Sequence, residues 1–362
     1  MAEAPKNFRP DPYPYHQELT LKIEGLTNLG FGVGRDKGWV ILIPFTLPGE
    51  TVRLRIYRNH KNYSEADLVE VLEAAPDRVE PLCALFGDCG GCQYQHLSYE
   101  KQLSWKRQHV EDAFARLAGL EAEVQPTWPS PQTYGYRAKL TPHFKKSPEG
   151  IDPIGFLRYG RRHSIVEVDQ CPIATDEINQ RLPKAKKELR EKWKGKRGGT
   201  LLLRQVVEGI VTDPDEVVTE KVGSKIFQFK AGEFFQNNPF LLPEMVTYVA
   251  DEASGGGAEH LVDAYCGSGL FAISACHLFK QCTGIEISAQ AAQWARANAA
   301  INRLENCEFI LGSASEVFSE VSFSGESSAL VIDPPRKGCD RAFLEQALAF
   351  GPQRIIYVSC DP

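Results

Sequence analysis

The chain has 362 residues, of which 43% are hydrophobic and 24% are charged, a composition typical of soluble globular proteins with two or three domains. No stretch has the length and apolarity of a transmembrane helix, and residues 1–16 lack the apolar segment of a signal peptide, so we expect a cytoplasmic protein. The net charge of −6 excludes a uniformly basic surface, but residues 81–200 carry 20 basic and 14 acidic side chains, whereas residues 201–362 carry 11 and 21.

Short strands separated by glycine turns are predicted between Glu18 and Glu73, after a proline-rich start. Five strands in fewer than about 60 residues predict a small OB-like barrel, with domain bounds 1–75. Such barrels often bind single-stranded RNA, although a barrel that serves only as a packing module has the same pattern. Four cations favour RNA: Arg53, Arg55, Arg58 and Lys61.

An amphipathic helix is predicted over 97–119, with Ser98 as a cap and Gly119 as its end. Its apolar positions recur on one face, which we expect to lie in a core: Leu103, Val110, Phe114 and Leu117.

Two strand-rich segments interleave aromatic and cationic residues, Tyr134–Lys139 and Gly155–His163. This pattern favours stacking on unpaired bases and pairing with phosphates, although an exposed sheet face has similar residues. Arg181–Arg197 contains nine basic residues in seventeen, which is typical of a solvated helix face. Together with four cysteines, these segments predict a central α+β domain that binds RNA, with bounds 76–230.

The ten cysteines form two groups. Six lie in the C-terminal half, and all of them except Cys360 are predicted to be buried free thiols. The other four have the spacing C-x5-C-x2-C with a distant fourth member: Cys83, Cys89, Cys92 and Cys171. Four thiolates suit either a structural zinc ion or an iron–sulfur cluster, and the spacing alone does not distinguish them.

The C-terminal third contains a strand, a tight turn and a helix start in H-L-V-D-A-Y-C-G-S-G-L-F, residues 260–271. The apolar run ends in Asp263, and Gly267 and Gly269 allow a nucleotide-like ligand to approach the backbone. Glu286 ends the next apolar run, 23 residues after Asp263, at the spacing at which an acidic residue contacts ribose hydroxyls.

Three further apolar runs end in polar residues: the first before Gly312-Ser313, the second before Asp333 and the third before Ser359-Cys360. Helical patterns at Ala289–Ile301 and Arg341–Phe350 separate them. The alternation predicts a parallel, Rossmann-like α/β domain over 231–362, with its ligand residues at the carboxyl ends of the strands.

Five ordered motifs resemble those of the S-adenosylmethionine-dependent RNA 5-methyluridine methyltransferases: F-F-Q-N-N (234–238), D-A-Y-C-G-S-G (263–269), G-I-E (284–286), D-P-P-R-K-G (333–338) and Y-V-S-C-D-P (357–362). The N-terminal barrel is similar to the TRAM domain of that family. The resemblance implies that S-adenosylmethionine binds at six residues: Gln236, Tyr265, Gly267, Glu286, Ser313 and Asp333. It also implies a 4Fe-4S cluster on the four cysteines, with 23S rRNA as the favoured substrate and transfer RNA as the alternative.

The resemblance makes Cys360 the catalytic nucleophile. Carbon 5 of uracil does not attack a sulfonium methyl unaided, so a thiolate first adds to carbon 6. Arg336 after D-P-P argues against amino-methylating enzymes, which have an aromatic residue there. Two positions depart from the family pattern, since Leu270 replaces a frequent Asn and Ser313 replaces an Asp or Asn.

Two other classes stay open: a methyltransferase that acts on another RNA group or a small molecule, and a non-catalytic RNA-binding or chaperone module. The family's general-base glutamate follows the last motif and has no counterpart in these 362 residues. Because the run 355–358 would form an uncovered apolar edge strand, we expect the sequence to be part of a longer chain.

Overall fold

The computed structural model describes residues 4–148, 150–195, 197–313 and 317–360, without the side chains of Arg162, Val317 and Ser319. The described part therefore excludes two pieces of the predicted sites. They are the side chain of Arg162, in the predicted RNA-binding segment, and the last two residues of Y-V-S-C-D-P. The chain divides into two compact units. One contains the chain up to Pro129 and Asp152–Val168, and the other contains Ser130–Ile151 and the chain from Asp169 onward.

The first unit contains a closed five-stranded barrel, which confirms the predicted architecture. Its strands are β1 (Glu18–Leu26), β2 (Phe31–Asp36), β3 (Trp39–Pro44), β4 (Thr51–Asn59) and β5 (Tyr63–Glu73). They are ordered β1-β2-β3-β5-β4 around the barrel. Alternate side chains of β4 point inward, so Val52, Leu54 and Ile56 are fully buried.

Three of the four barrel cations are paired with carboxylates on the neighbouring strand. Their nitrogen–oxygen distances are 2.8 Å for Arg53–Glu70, 3.4 Å for Arg55–Asp67 and 3.6 Å for Arg58–Glu65. Exposed pairs of this kind contribute little to stability. They do reduce the positive charge that this face offers to a phosphate.

The predicted amphipathic helix forms, but its apolar face is not in a core. Helix α1 (Tyr99–Ala113) continues into a π-helical turn (Phe114–Ala118) and ends at Gly119, which has a φ of 65°. No residue of α1 is buried, and Leu117 is 85% exposed. The prediction of a core face was therefore wrong, because periodicity identifies an apolar face without showing that another element covers it.

Short antiparallel pairs fill the middle of the chain. The elements are β6 (Lys139–Leu140), β7 (His143–Ser147), β8 (Gly150–Arg158), β9 (Arg161–Glu167), α2 (Asp176–Lys192), β10 (Gly199–Thr200), β11 (Leu203–Val206), β12 (Gly209–Val211), β13 (Val217–Val222) and β14 (Lys225–Lys230). Strand β11 pairs with both β6 and β12, β10 pairs with β7, β8 pairs with β9, and β13 and β14 form a hairpin. The hairpin leads directly into the F-F-Q-N-N motif.

The rest of the second unit is the predicted parallel α/β domain. Its elements are α3 (Leu242–Ser254), β15 (His260–Ala264), α4 (Leu270–Ala275), β16 (Gln281–Glu286), α5 (Ala289–Ile301), β17 (Cys307–Leu311), β18 (Ser328–Ile332), α6 (Arg341–Phe350) and β19 (Arg354–Tyr357). Short 3-10 turns occur at Cys276–Leu278, Val317–Glu320 and Gly325–Ser327. All strand pairs are parallel, in the order β17-β16-β15-β18-β19.

Local sequence explains where two of these helices begin and end. The Ser288 hydroxyl accepts from the Ala291 N–H at 3.4 Å before α5, and the Asp340 carboxylate accepts from the Phe343 N–H at 2.8 Å before α6. Gly351 ends α6 with a φ of 65°. The bounds of both helices agree with the predicted ranges. No helix in the described ranges is long and apolar enough to cross a membrane.

Two asparagines four residues apart, Asn298 on α5 and Asn302 directly after it, hold this helix against the edge of β14. The fully buried Asn298 side chain accepts from the Gln228 N–H at 2.7 Å and donates to the Gln228 carbonyl at 3.2 Å. It also donates to the Ser268 carbonyl in the glycine turn, at 3.1 Å. Asn302 repeats the two-way contact on Ile226, at 2.9 and 2.6 Å.

We expect Asn298→Ala to lower the free energy of unfolding by about 2–4 kcal/mol, because it leaves buried backbone groups of Gln228 and Ser268 without partners. Asn302→Ala removes a similar contact at a partly exposed position, so it should cost about 1 kcal/mol, since water replaces the amide. Urea unfolding with fluorescence detection compares the two midpoints. Equal losses in the two variants would contradict the role given to Asn298.

Candidate active site

A cavity of about 710 Å³ opens at the carboxyl ends of the parallel strands. It lies where the strand order reverses, since the chain runs from β15 outward through β16 and β17 and returns to pair β18 on the other side of β15. Its lining comes from five stretches: Phe229 with Glu233–Gln236, Tyr265–Ser268 with Leu270 and Phe271, the start of α5 (Ser288, Gln290, Ala291 and Trp294), Asp333–Arg336, and Cys360.

Close packing around the turn after β15 requires glycine. Gly269 has a φ of 92°, and a Cβ atom there would lie 2.7 Å from the Ile273 side chain and 3.1 Å from the Phe309 ring. On the next strand, a Cβ on Gly284 would lie 2.5 Å from Phe309 and 2.9 Å from the Cys266 sulfur. Side chains at these two positions would push the turn into the cavity.

Tyr265 adopts a left-handed backbone conformation, with a φ of 64°, which is unfavourable for a residue with a Cβ atom. Its ring packs edge-on against Phe343, with centroids 5.3 Å apart, and its hydroxyl is hydrogen-bonded to Cys339. Burial raises the pKa of Tyr265 to about 12, so the hydroxyl stays protonated. These contacts hold the side chain at the cavity wall.

Asp263 supports the turn from beneath and is fully buried. One carboxyl oxygen accepts from the Ala272 N–H at 2.9 Å, and the other has no partner among the described residues. Burial raises the pKa of Asp263 to about 8, and the charges of Asp333 and Glu286 add to the effect. Asp263 is therefore mostly protonated in the free protein at neutral pH, and a positively charged ligand at the turn would favour its ionised form.

Five of the seven residues predicted for the nucleophile and the cofactor line this cavity. They are Gln236, Tyr265, Gly267, Asp333 and Cys360. The other two are not in the cavity wall: Glu286 ends strand β16, and Ser313 follows strand β17. Their roles stay predictions.

The Glu286 carboxylate binds backbone amides. One oxygen accepts from the Gly267 N–H at 2.9 Å and the other accepts from the Ser288 N–H at 2.7 Å. Glu286 thus connects the glycine turn to the start of α5. The spacing to Asp263 indicated a carboxylate at this strand end, but not the direction in which it points.

Several thiols lie near the cavity, and their environments differ. Burial raises the pKa values of Cys266 and Cys339, so both stay as thiols. Cys360 is exposed and lines the cavity, so a substrate can reach its sulfur. Burial raises the pKa of Tyr357, with smaller contributions from Cys339, Cys360 and Asp333, and burial also raises the pKa of Asp333.

Sequence reasoning did not assign two aromatic residues of the wall. Phe234 is 76% exposed at the cavity, although it opens the quoted F-F-Q motif. Trp294 lines the cavity, and its buried indole N–H has no partner among the described residues. A tryptophan in an amphipathic helix has no distinguishing pattern, so only the fold could reveal its position.

The four cysteines predicted to hold a cluster are divided between the two compact units. Burial raises the pKa of Cys89. Cys92 and Cys83 are near enough to raise it further. Nevertheless, no group of three or more His, Cys, Asp or Glu side chains in the described ranges could hold a metal ion. Cys171 belongs to the other compact unit. The described residues thus give no support for a 4Fe-4S cluster or for zinc, and the assignment of the four cysteines stays a prediction.

Because the pKa of Asp263 is raised in the folded protein, we expect the free energy of unfolding of the ligand-free protein to depend on pH. The folded state binds a proton up to about pH 8, whereas the unfolded carboxyl loses it near pH 4, so stability falls as pH rises through this window. Asp263→Asn removes the titration, and its stability relative to the unchanged chain should grow by up to about 1.4 kcal/mol per pH unit. Thermal unfolding from pH 4.5 to 8 measures this. A difference that is independent of pH would contradict the assignment.

Comparison with known proteins supplies the family. A family model described as tRNA (Uracil-5-)-methyltransferase matches residues 200–362, and a TRAM domain model matches residues 16–69. The chain is 40% identical to the tRNA (uracil(54)-C(5))-methyltransferase of Schizosaccharomyces pombe, over 97% of this chain and 71% of that protein. The enzyme of the same name from Saccharomyces cerevisiae is 34% identical, over 96% of this chain and 67% of that protein.

The structural comparison agrees. The crystal structure of Pyrococcus abyssi tRNA (uracil-54, C5)-methyltransferase, in complex with S-adenosyl-L-homocysteine, has a TM-score of 0.71 and 25% identity, covering 95% of this chain and 90% of that one. Both the barrel and the parallel domain with its cavity are thereby accounted for. The chain belongs to the family of S-adenosylmethionine-dependent RNA uracil-5-methyltransferases that carry an N-terminal TRAM domain.

Proposed function

We propose that this enzyme methylates carbon 5 of uridine 54 in transfer RNA. The two yeast relatives and the Pyrococcus structure all have that position in their names. Their agreement favours the alternative that the sequence left open over the 23S rRNA that its motifs led us to expect. It also replaces the argument for ribosomal RNA from the cysteine spacing, which the described residues do not support.

The observation that carries the chemistry is the position of Cys360, which is exposed in the wall of the cavity that contains the glycine turn. In the proposed reaction its thiolate forms a bond to carbon 6 of the target uracil, and the electrons of the 5,6 double bond move toward carbon 5 and oxygen 4. Carbon 5 then becomes nucleophilic. The target base leaves its stack to enter the cavity.

S-adenosylmethionine supplies the methyl group to carbon 5 and leaves as the thioether S-adenosylhomocysteine. A base then takes the proton from carbon 5, the 5,6 double bond re-forms, and the bond between carbon 6 and sulfur breaks, which releases 5-methyluridine and the Cys360 thiolate.

We assign the binding of S-adenosylmethionine to Gln236, Tyr265 and Gly267 in the wall, with Glu286 on the ribose side through the turn that it supports. Ser313, after β17, is the proposed contact on the adenine side. The buried carboxyl groups beneath the turn favour the positive sulfonium over the neutral thioether.

Asp333 is proposed to distinguish uracil from cytosine. Its carboxyl group lines the cavity and its pKa is raised by burial. The carboxylate can accept a hydrogen bond from N3–H of uracil, whereas N3 of cytosine has no hydrogen to donate. A buried acceptor left without a donor costs about 1–3 kcal/mol, which is enough to exclude the wrong base.

Covalent trapping tests the nucleophile. With S-adenosylmethionine and transfer RNA that contains 5-fluorouridine, we expect a stable methylated adduct at Cys360, because fluorine on carbon 5 does not leave as a proton does. Mass spectrometry of the digested complex locates the adduct. Cys360→Ala should abolish it, whereas the thiol variant Cys307→Ala, on strand β17 and outside the cavity wall, should retain it. An adduct at another cysteine would overturn the assignment.

Methyl transfer to defined transcripts tests the substrate. Tritiated methyl incorporation should occur with a transfer RNA transcript and fall about 5- to 150-fold when uridine 54 is replaced by cytidine, since this range corresponds to a cost of about 1–3 kcal/mol. A 23S rRNA transcript is the comparison. Methylation of the ribosomal transcript with none of the transfer RNA would contradict the proposal while leaving the reaction itself intact.

A further inference from the structure

Two cations outside the parallel domain lie directly opposite each other on neighbouring strands. Lys139 of β6 and Arg204 of β11 are register partners in an antiparallel pair. Like charges in this arrangement destabilise a sheet. Arg204 is only 4% exposed, so its burial adds a further cost. We therefore expect both side chains to make hydrogen bonds that offset the repulsion between them and the burial of Arg204.

Those contacts are backbone carbonyl groups at the entrance to the F-F-Q-N-N motif. The Lys139 ammonium lies 3.0 Å from the carbonyl oxygens of both Gly232 and Glu233. The Arg204 guanidinium donates to the same Glu233 carbonyl at 2.5 Å. Hydrogen bonds from charged donors are about twice as strong as neutral ones. Two cations therefore fix one short stretch of backbone.

Arg204 also acts on the aromatic wall of the cavity. Its guanidinium carbon lies 4.9 Å from the centre of the Phe229 ring. Phe229 in turn stacks on Phe235, with centroids 4.6 Å apart and ring planes 8° from parallel. Both rings line the cavity. The cation thus holds the motif through a side-chain stack as well as through its backbone.

The N–H groups of Gly232 and Glu233, just before the motif, are also hydrogen-bonded to the backbone. The Gly232 N–H donates to the Pro214 carbonyl at 2.8 Å, and the Glu233 N–H donates to the Lys230 carbonyl at 2.9 Å. A Cβ atom on Gly232 would lie 2.9 Å from the Pro214 side chain, so the turn is tightly packed. With its donors and acceptors both bound, the turn has one orientation, and the next residues enter the cavity wall.

We propose that Lys139 and Arg204 form a carbonyl clamp, a pair of positioning residues that aims Phe235 and Gln236 at the methyl donor. The inference rests on the proposed role of Gln236 in binding that donor. Neither cation lines the cavity, so the clamp acts only through the residues that it orients.

The charges around Lys139 give the clamp a pH dependence. Burial and the neighbouring cations Arg204 and Arg137 lower the pKa of Lys139 to about 8, whereas the carboxyl groups of Glu220 and Glu233 act on Arg204. As pH rises through 8, the Lys139 side chain becomes neutral and its bonds to the carbonyl groups weaken. The part of the binding affinity that depends on Lys139 should be lost over this range, and Lys139→Arg should keep it, so the two chains should differ increasingly as pH rises.

Binding of S-adenosylhomocysteine to the full chain, measured by calorimetry between pH 7 and 9.5, tests the clamp without any RNA. At pH 7 we expect Lys139→Met to raise the dissociation constant about tenfold and Lys139→Arg to change it less than about twofold, given the strength of charged hydrogen bonds. The control is Lys146→Met, because Lys146 donates to the Gly195 carbonyl at 3.0 Å far along the chain from the motif. Thermal unfolding confirms that each variant is folded.

The variant Gln236→Ala tests the role of Gln236 in donor binding separately from the role of Lys139 in positioning. If Gln236→Ala weakens binding and Lys139→Met does not, the clamp is overturned and the donor site stands. If neither variant weakens binding, the assignment of Gln236 and the clamp are both overturned. The clamp also fails if Lys146→Met has the effect of Lys139→Met, or if the unchanged chain and Lys139→Arg show the same pH dependence.

Discussion

The Asn298 side chain holds together three parts of the cavity wall. Its amide bonds the backbone of Gln228 in both directions and the Ser268 carbonyl in the glycine turn, all from a fully buried position on α5. The hairpin that leads into the F-F-Q-N-N motif and the turn that follows β15 are thereby fixed to one helix. A buried amide satisfies polar backbone groups that would otherwise lack partners. The Asn298 contacts therefore fix the hairpin and the glycine turn relative to each other.

The other restraints on the site act from different directions on the same segments. Glu286 fixes the glycine turn and the start of α5 through two backbone amides. Lys139 and Arg204 fix the entrance to the motif through carbonyl groups. Anionic groups thus bind N–H donors and cationic groups bind C=O acceptors, so the charged side chains around the cavity orient its backbone as well as its ligands.

The charge behind the turn is suited to the ligand of this family. Asp263 is fully buried, one of its oxygens has no partner in the described ranges, and its pKa is raised to about 8 because burial and neighbouring carboxyl groups oppose its ionisation. A positively charged methyl donor relieves that repulsion, whereas its product has lost the sulfonium charge. In the proposed donor site, the carboxyl group whose burial lowers the stability of the free protein at high pH would favour the positively charged donor over its neutral product.

The sequence by itself determined the barrel, the parallel sheet, the bounds of α5 and α6, and most of the residues at the carboxyl ends of the strands. Periodicity, capping residues and glycine turns are local, so they can be identified without knowing the rest of the fold. The tertiary structure alone decided that Glu286 binds backbone amides and that Leu117 is exposed. It also brought Lys139 next to Glu233, 94 positions away. Spacing along a chain gives neither the direction of a side chain nor its distant neighbours, and those are set only when the elements pack.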